Sequence, residues 1–263
     1  MFNSTVDIVI PLGNGSLYDN FELRMALRSI AEYARNCGKV WVVTDAAPDW
    51  LCNVRVINHP DRHRHNKDAN IIEKLLAATQ LDELSERFIF WSDDKLALKS
   101  FNCAALLPIF NRRQRSDFTT DRIWHRRVRN TFDYLQARGH KLQWNWESHT
   151  PQIMHKKLYR ELMSTANYTQ APGLTVCTLY FGLNDTPPLL EQRHYKITVE
   201  SSVNLTCLDD SKLFLGYNDA ALRGNLPQLL LERFPQKCNF EKRDGDYQKI
   251  LKKNIPDACK NCF

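Results

Sequence analysis

The sequence predicts an α/β fold with a Rossmann-like sheet flanked by helices. Three observations carry that expectation. Short apolar runs alternate with stretches of helical periodicity over the first hundred residues. The clearest run, Arg87-Phe-Ile-Phe-Trp-Ser-Asp93-Asp94, ends in two adjacent carboxylates. The composition, 43% hydrophobic and 25% charged, argues against a disordered chain.

Val6 to Pro11 reads as a first strand, stopped by proline, and Leu12-Gly-Asn-Gly-Ser16 as a turn-rich loop. Asp19 or Asn20 caps a helix over Phe21–Asn36, with Leu23, Leu27, Ile30 and Ala34 on one face and Gly38 as its stop. Lys39 to Thr44 is a second buried strand, ending in Asp45, and Val54 to Ile57 a shorter third. Asp68 caps a helix that carries Ile71, Ile72, Leu75 and Leu76 to about Thr79. The strand leading to Asp93 and Asp94 follows. Strands alternating with helices imply parallel pairing with right-handed crossovers, a nucleotide-binding arrangement.

From Asn111 to Gly139 arginines dominate, interrupted by Asp117, Asp121 and Asp133. This stretch reads as a basic helical segment: either a solvated face or a surface for phosphate groups. Beyond it, Leu158–Met163 reads as helix. Val176–Phe181, Tyr195–Val199 and Leu213–Tyr217 read as strands, and Asn218-Asp219 follows the last of them. The lysine-bearing tail from Lys237 to Lys253 suits a surface helix, with contact to acidic membrane heads as the other reading.

The net charge of +6 suits an anionic ligand without identifying one. No secretory leader and no membrane-length apolar run is legible, so the expected place is the cytoplasm, with peripheral contact at the inner membrane face as the alternative. The eight cysteines then read as thiols, and the Cys259/Cys262 pair lacks a second ligand pair at zinc spacing. No nucleic-acid module is recognisable.

Adjacent carboxylates at a strand end repel, and a divalent cation bridging to a diphosphate relieves that repulsion. Backbone amides around Gly15 and Ser16 are candidates to cradle phosphate, and Asp45 to hold a ribose or base. Lys67 and Asn70 open a helix where they can meet a ligand's anionic or polar groups. The histidines at 59, 63 and 65 match no zinc pattern and read as a polar loop. His149, in Trp144-Asn-Trp-Glu-Ser-His149-Thr-Pro151, is a candidate proton acceptor from an attacking hydroxyl. Asn218-Asp219 offers a third carboxylate to the same rim.

Four blocks, in order, resemble the Stealth family of hexose-1-phosphate transferases of microbial capsule synthesis, the group that includes the lysosomal-enzyme GlcNAc-1-phosphotransferase. The first is Asp7-Ile-Val-Ile-Pro-Leu-Gly-Asn-Gly-Ser16. The second runs through Glu22-Leu-Arg24, Leu27-Arg-Ser29, Val43-Thr-Asp45, Pro48-Asp-Trp-Leu51, Asn70-Ile-Ile-Glu73 and Leu84-Ser-Glu-Arg-Phe-Ile89 to Asp93-Asp94. There the family has Asn-Asp-Asp, and this chain has Ser92 before its acids. The third is Ser148-His149-Thr-Pro151 and the fourth Gly216-Tyr-Asn218-Asp219.

The resemblance implies a GT-A-like nucleotide-sugar transferase fold. Residues 1–110 would bind the donor and 111–263, with the basic segment 111–139, would face the acceptor, within one compact catalytic domain. It implies a nucleotide-sugar donor, Mg²⁺ or Mn²⁺ on Asp93, Asp94 and Asp219, and a glycan or lipid-linked glycan acceptor. His149 would be the base, and Arg24 and Asn218 would join the donor site. The implied reaction is transfer of a sugar 1-phosphate in cell-surface polysaccharide synthesis. The alternatives are a glycosyltransferase that releases nucleoside diphosphate, and a non-catalytic polyanion binder that uses the arginine stretch.

Overall fold

A computed structural model describes residues 5–16, 18–200 and 211–252. The Cys259/Cys262 pair lies outside them. The chain opens with β1 (Val6–Pro11), α1 (Phe21–Tyr33), β2 (Ala34–Arg35), β3 (Cys37–Thr44), β4 (Arg55–Asn58), α2 (Lys67–Thr79) and β5 (Arg87–Phe90). Short pieces follow: β6 (Lys95–Ala97), β7 (Phe101–Asn102) and β8 (Ile109–Phe110), then α3 (Ile123–Gln136) and β9 (Gln152–His155). After them come α4 (Lys156–Ser164), α5 (Val176–Leu183), β10 (Leu190–Glu191), β11 (Lys196–Val199) and β12 (Phe214–Tyr217). Three short helices end the described chain: α6 (Asp219–Leu222), α7 (Leu226–Arg233) and α8 (Gln248–Lys252).

The main sheet has five strands in the order β4-β3-β1-β5-β9. The first four run parallel and β9 is antiparallel to β5. This is a mixed α/β architecture, with helices on both faces. Every residue of β1 is buried, as a strand covered on both faces requires. Alternation then sorts its side chains. Ile8 and Ile10 pack with Val40, Val42 and the α1 residues Leu23, Leu27 and Ile30. Val9 points the other way, to a cluster holding Trp41, Val43 and the α2 residues Ile72, Leu75 and Ala78. A smaller sheet, β11-β12-β6, stands beside this core.

Asp7 is the one acid in β1, and it is buried. Its carboxylate accepts hydrogen bonds from Lys39 N at 2.7 Å, Trp41 Nε1 at 3.0 Å and Ser85 N at 3.1 Å. A Cβ on Gly38 would stand 2.2 Å from Asp7 Oδ1, so glycine is required there by close approach. Gly38 therefore belongs to β3 and is not a helix stop. The helix ends earlier, at Tyr33, and the chain reverses at Asn36, whose φ of 56° places it in the left-handed region.

Two further expectations need correction, and the cap of α1 falls on one of its two candidates. Asn66, not Asp68, caps α2, its side chain accepting from Ala69 N at 3.2 Å. Asn20 takes the capping position of α1 in the left-handed region without a side-chain cap bond. Val176–Phe181 is helical, not a strand. An apolar run of that length fits a buried strand or a buried helix equally, and α5 is buried along almost its whole length.

The chain beyond α7 is tied down by charge. Glu241, fully buried, pairs with Arg24 at 2.6 Å and with Arg28 at 2.7 Å. Arg24 also pairs with Asp19 at 2.8 Å and lies 3.8 Å from the ring centroid of Trp50. Burial pushes the Glu241 carboxyl up, but the two guanidiniums outweigh it and hold it below its ordinary value. Replacing Glu241 with alanine strands two buried guanidiniums. The expected loss is about 3–5 kcal/mol, read as a lower midpoint in urea unfolding.

Candidate active site

The chain leaves β1 through α1 toward β3 and returns through α2 to β5 on the other side of β1. The connections after β1 and β5 therefore lead away in opposite directions, the arrangement that in open α/β sheets leaves a crevice at the carboxyl edge. The first loop is held from below. Leu12 N donates to Val43 O at 2.9 Å, and the buried Lys74 Nζ donates to Leu12 O at 2.6 Å while pairing with Asp61 at 2.6 Å. Further along, Asn14 Nδ2 donates to Asp45 Oδ2 at 3.0 Å and Ser16 Oγ to Glu22 Oε2 at 2.9 Å. Gly15 is exposed, with open space where a Cβ would stand.

Across the crevice, Trp91 clips the turn that carries the acid pair. Its backbone N–H donates to Val9 O at 3.0 Å and its indole Nε1 to Lys95 O at 2.8 Å, while Lys95 N donates to Ser92 O at 3.2 Å. Asp93 and Asp94 stand half-buried on this turn, between β5 and β6. Burial, then the charges of Asp94 and Glu22, push the Asp93 carboxyl up to about 7. Asp94 Oδ1 is buried without a hydrogen-bond partner among the described residues, and so is the hydroxyl of Tyr217. A buried polar atom left unpaired in a native fold calls for a partner, such as water, an ion or a ligand group.

His149 reaches the same rim from the loop before β9. That loop is clamped by buried polar groups: Gln152 Nε2 donates to Ile109 O and to Ser148 Oγ, each at 2.7 Å, and Ser148 Oγ lies 2.6 Å from Thr150 Oγ1. His149 itself is exposed, has a φ of 50° and lies tilted against Trp124, with ring centroids 6.3 Å apart. Its backbone oxygen would lie 3.1 Å from a Cβ on Gly216, and Gly216 pairs with Lys95 across β12 and β6. His149 and the acid turn are thus brought to one place by β12. The surrounding protein lowers the imidazole to about 4; Asp94 opposes that and Lys196 and Lys95 reinforce it. The ring is therefore neutral at pH 7.

The sequence-predicted residues divide accordingly. The structure joins Asp93, Asp94 and His149, with Ser16 connected through Glu22. Asp45 lies at the outer edge, bonded to Asn14, and Lys67 is exposed at the start of α2. Arg24 does not face the crevice, because its guanidinium is consumed by Glu241, Asp19 and Trp50. Asn70 is consumed too: its side chain accepts from His63 N at 2.8 Å and donates to His63 O at 3.0 Å. Asn218 caps α6 by accepting from Ala220 N and Ala221 N, and Asp219 is exposed in that helix's first turn. The acids that act on Asp93 are Asp94 and Glu22, not Asp219.

Among the described residues no three His, Cys, Asp or Glu side chains group as a metal cage. The unpartnered Asp94 oxygen and the strained charge on Asp93 nevertheless fit a hard cation of the magnesium type, which commonly takes one or two carboxylates and completes its shell with phosphate and water. Compared with known proteins, the chain matches no family model and no curated protein.

Two residues around the acid turn lie outside every motif legible in the sequence: Lys95 and Lys196. Each sits inside an apolar or helical run, where the pattern advertises the core. The signal for Lys95 and Lys196 was a lysine at the start of a short strand, buried here to 4% and 7% exposure.

The lowered imidazole gives a signed prediction. The unfolded chain binds the His149 proton from about pH 6.5 down, and the folded chain only from about pH 4. His149→Gln should therefore raise the melting temperature at pH 4.5 relative to wild type and leave it unchanged at pH 7.5.

Proposed function

We propose that this chain is a transferase that uses a nucleotide-sugar donor and moves a sugar 1-phosphate onto a glycan hydroxyl. The single observation that carries the reading is the approach of His149, from the loop before β9, to Asp94 on the turn after β5 at the carboxyl edge of the sheet. The order of the four sequence blocks resembling the Stealth family supports it. So does the mixed sheet of parallel strands with one antiparallel neighbour, which is compatible with a GT-A-like arrangement.

The roles follow from the groups. Asp93 and Asp94 would hold a divalent cation, which neutralises charge on the leaving phosphate. The acceptor hydroxyl attacks the phosphorus next to the sugar. A P–O bond to that phosphorus forms, the bond to the nucleoside phosphate breaks, and a nucleoside monophosphate departs. His149, neutral at pH 7, takes the hydroxyl proton. A bound anion beside the ring raises its affinity for that proton, so the base strengthens when the donor is present.

The arginine stretch favours this reading over a polyanion binder, because much of it is spent within the protein. Arg115 pairs with Asp133 at 2.6 Å, Arg127 with Asp68 at 3.0 Å, and Arg129 with the carbonyl of Phe118. Among the described residues no helix is long and apolar enough to cross a membrane. Peripheral contact through the tail is the weaker part of the proposal, since Lys237 and Lys242 turn to carbonyls of Lys242 and Asp49.

Three measurements test it. Nucleotide sugars with Mg²⁺ or Mn²⁺ should raise the melting temperature, as any ligand of the folded state does. Asp94→Asn should abolish turnover while the melting temperature without ligand is retained. Phosphorus NMR of the products identifies the bond broken: nucleoside monophosphate agrees with the proposal, and nucleoside diphosphate replaces it with ordinary glycosyl transfer. Full activity of Asp94→Asn would sink the assignment of the acid pair.

A further inference from the structure

Lys95 and Lys196 approach one another from two different strands. Lys95 begins β6, opposite Gly216 on β12. Lys196 begins β11, opposite Phe214, and its side chain runs along β12 to the same glycine. A Cβ on Gly216 would stand 2.7 Å from Lys196 Cε and 3.0 Å from its Nζ. Glycine at 216 is what lets that ammonium lie across the strand, next to the His149 backbone.

Neither ammonium is neutralised by the partner it holds. Lys196 Nζ donates to the carbonyl of Ser148 at 3.0 Å, an uncharged acceptor. Lys95 Nζ rests 4.6 Å from the centroid of the Phe90 ring, again uncharged. A fold does not gather two nearly buried ammoniums for stability, since desolvating each costs several kcal/mol and like charges repel. The burial lowers the Lys196 ammonium to about 7, an effect that Lys95 deepens and that Asp94 and Glu200 oppose. Asp94, which acts on the Lys196 ammonium, has its Oδ1 buried without a hydrogen-bond partner among the described residues.

We infer that Lys95 and Lys196, converging over Gly216, form an anion-receiving subsite that takes the diphosphate of the donor. Two ammoniums present several donors to adjacent phosphate oxygens, and the acid turn holds the same group from its other side through a cation. The identity of the ligand as a nucleotide diphosphate rests on the transferase reading. The existence of a site for a polyphosphate anion does not.

Inorganic pyrophosphate is the probe, titrated calorimetrically into the full chain at pH 6.5, with EDTA present and then with Mg²⁺. Wild type should bind in both conditions. Lys95→Met and Lys196→Met should each weaken binding about 10- to 100-fold, the worth of one charge-assisted hydrogen bond. Gly216→Ala should weaken it as well, because its methyl displaces the Lys196 ammonium without removing a charge. The melting temperature without ligand should hold or rise in Lys196→Met, since a buried charge gives way to an apolar group; a merely structural lysine would lower it. Wild-type affinity in both lysine variants overturns the subsite, as does failure of the wild type to bind millimolar pyrophosphate. Lysine-dependent pyrophosphate binding that no nucleotide sugar displaces upholds the subsite and overturns the transferase reading alone.

Discussion

The constraint on which the rest depends is the reversal of chain direction at β1. A central strand with a parallel neighbour on each side sends its connection one way and receives the next from the other. The two loops part, and the backbone groups at the carboxyl edge have no strand above them to bond. Such an edge must be satisfied by side chains, water or a ligand. Here the first loop is fixed by the buried Lys74 ammonium, and the second by the Trp91 indole. Each loop is thus tied back to the sheet by a buried side chain.

The electrostatics of that edge are unusual for a core. Two carboxylates and two ammoniums are half-buried or buried around one imidazole, yet they do not close into tight ion pairs: the contacts that Lys95 and Lys196 make are to an aromatic ring and a carbonyl. Contrast the Arg24–Arg28–Glu241 cluster, where the charges meet at 2.6 and 2.7 Å and every one has a structural duty. The same residue types serve stability when their geometry is closed and remain available to a ligand when it is open. A buried charge held apart from its counter-charge is a cost to folding, and a charged ligand offsets it.

The smaller sheet explains how distant segments share the crevice. β12 runs between β11 and β6, so Lys196 and Lys95 arrive from opposite neighbours, and the His149 loop passes over Gly216. The buried ladder of Ser148, Thr150 and Gln152 fixes that loop by hydrogen bonds, where hydrophobic packing alone would permit sliding. His149 is thereby set in position while its ring remains partly open at the rim.

Much was legible in the sequence because it depends on local rules. Val6–Pro11 is apolar but for Asp7 and is stopped by proline, the pattern of a covered strand. The helical spacing of Ile72 and Leu75 gave α2, and the apolar run before Ser92-Asp93-Asp94 gave β5. Tertiary structure alone decided what depends on partners far along the chain. Whether Arg24 meets a ligand or a carboxylate is settled by Glu241, more than two hundred residues away. Whether Asn70 faces a donor or the His63 backbone is settled by a loop folding back on its own helix. Whether 176–181 is strand or helix has no local answer, because burial on every side erases the periodicity that would distinguish them. Local pattern fixes which atoms turn inward, but which charges end up facing each other is a property of the packed chain.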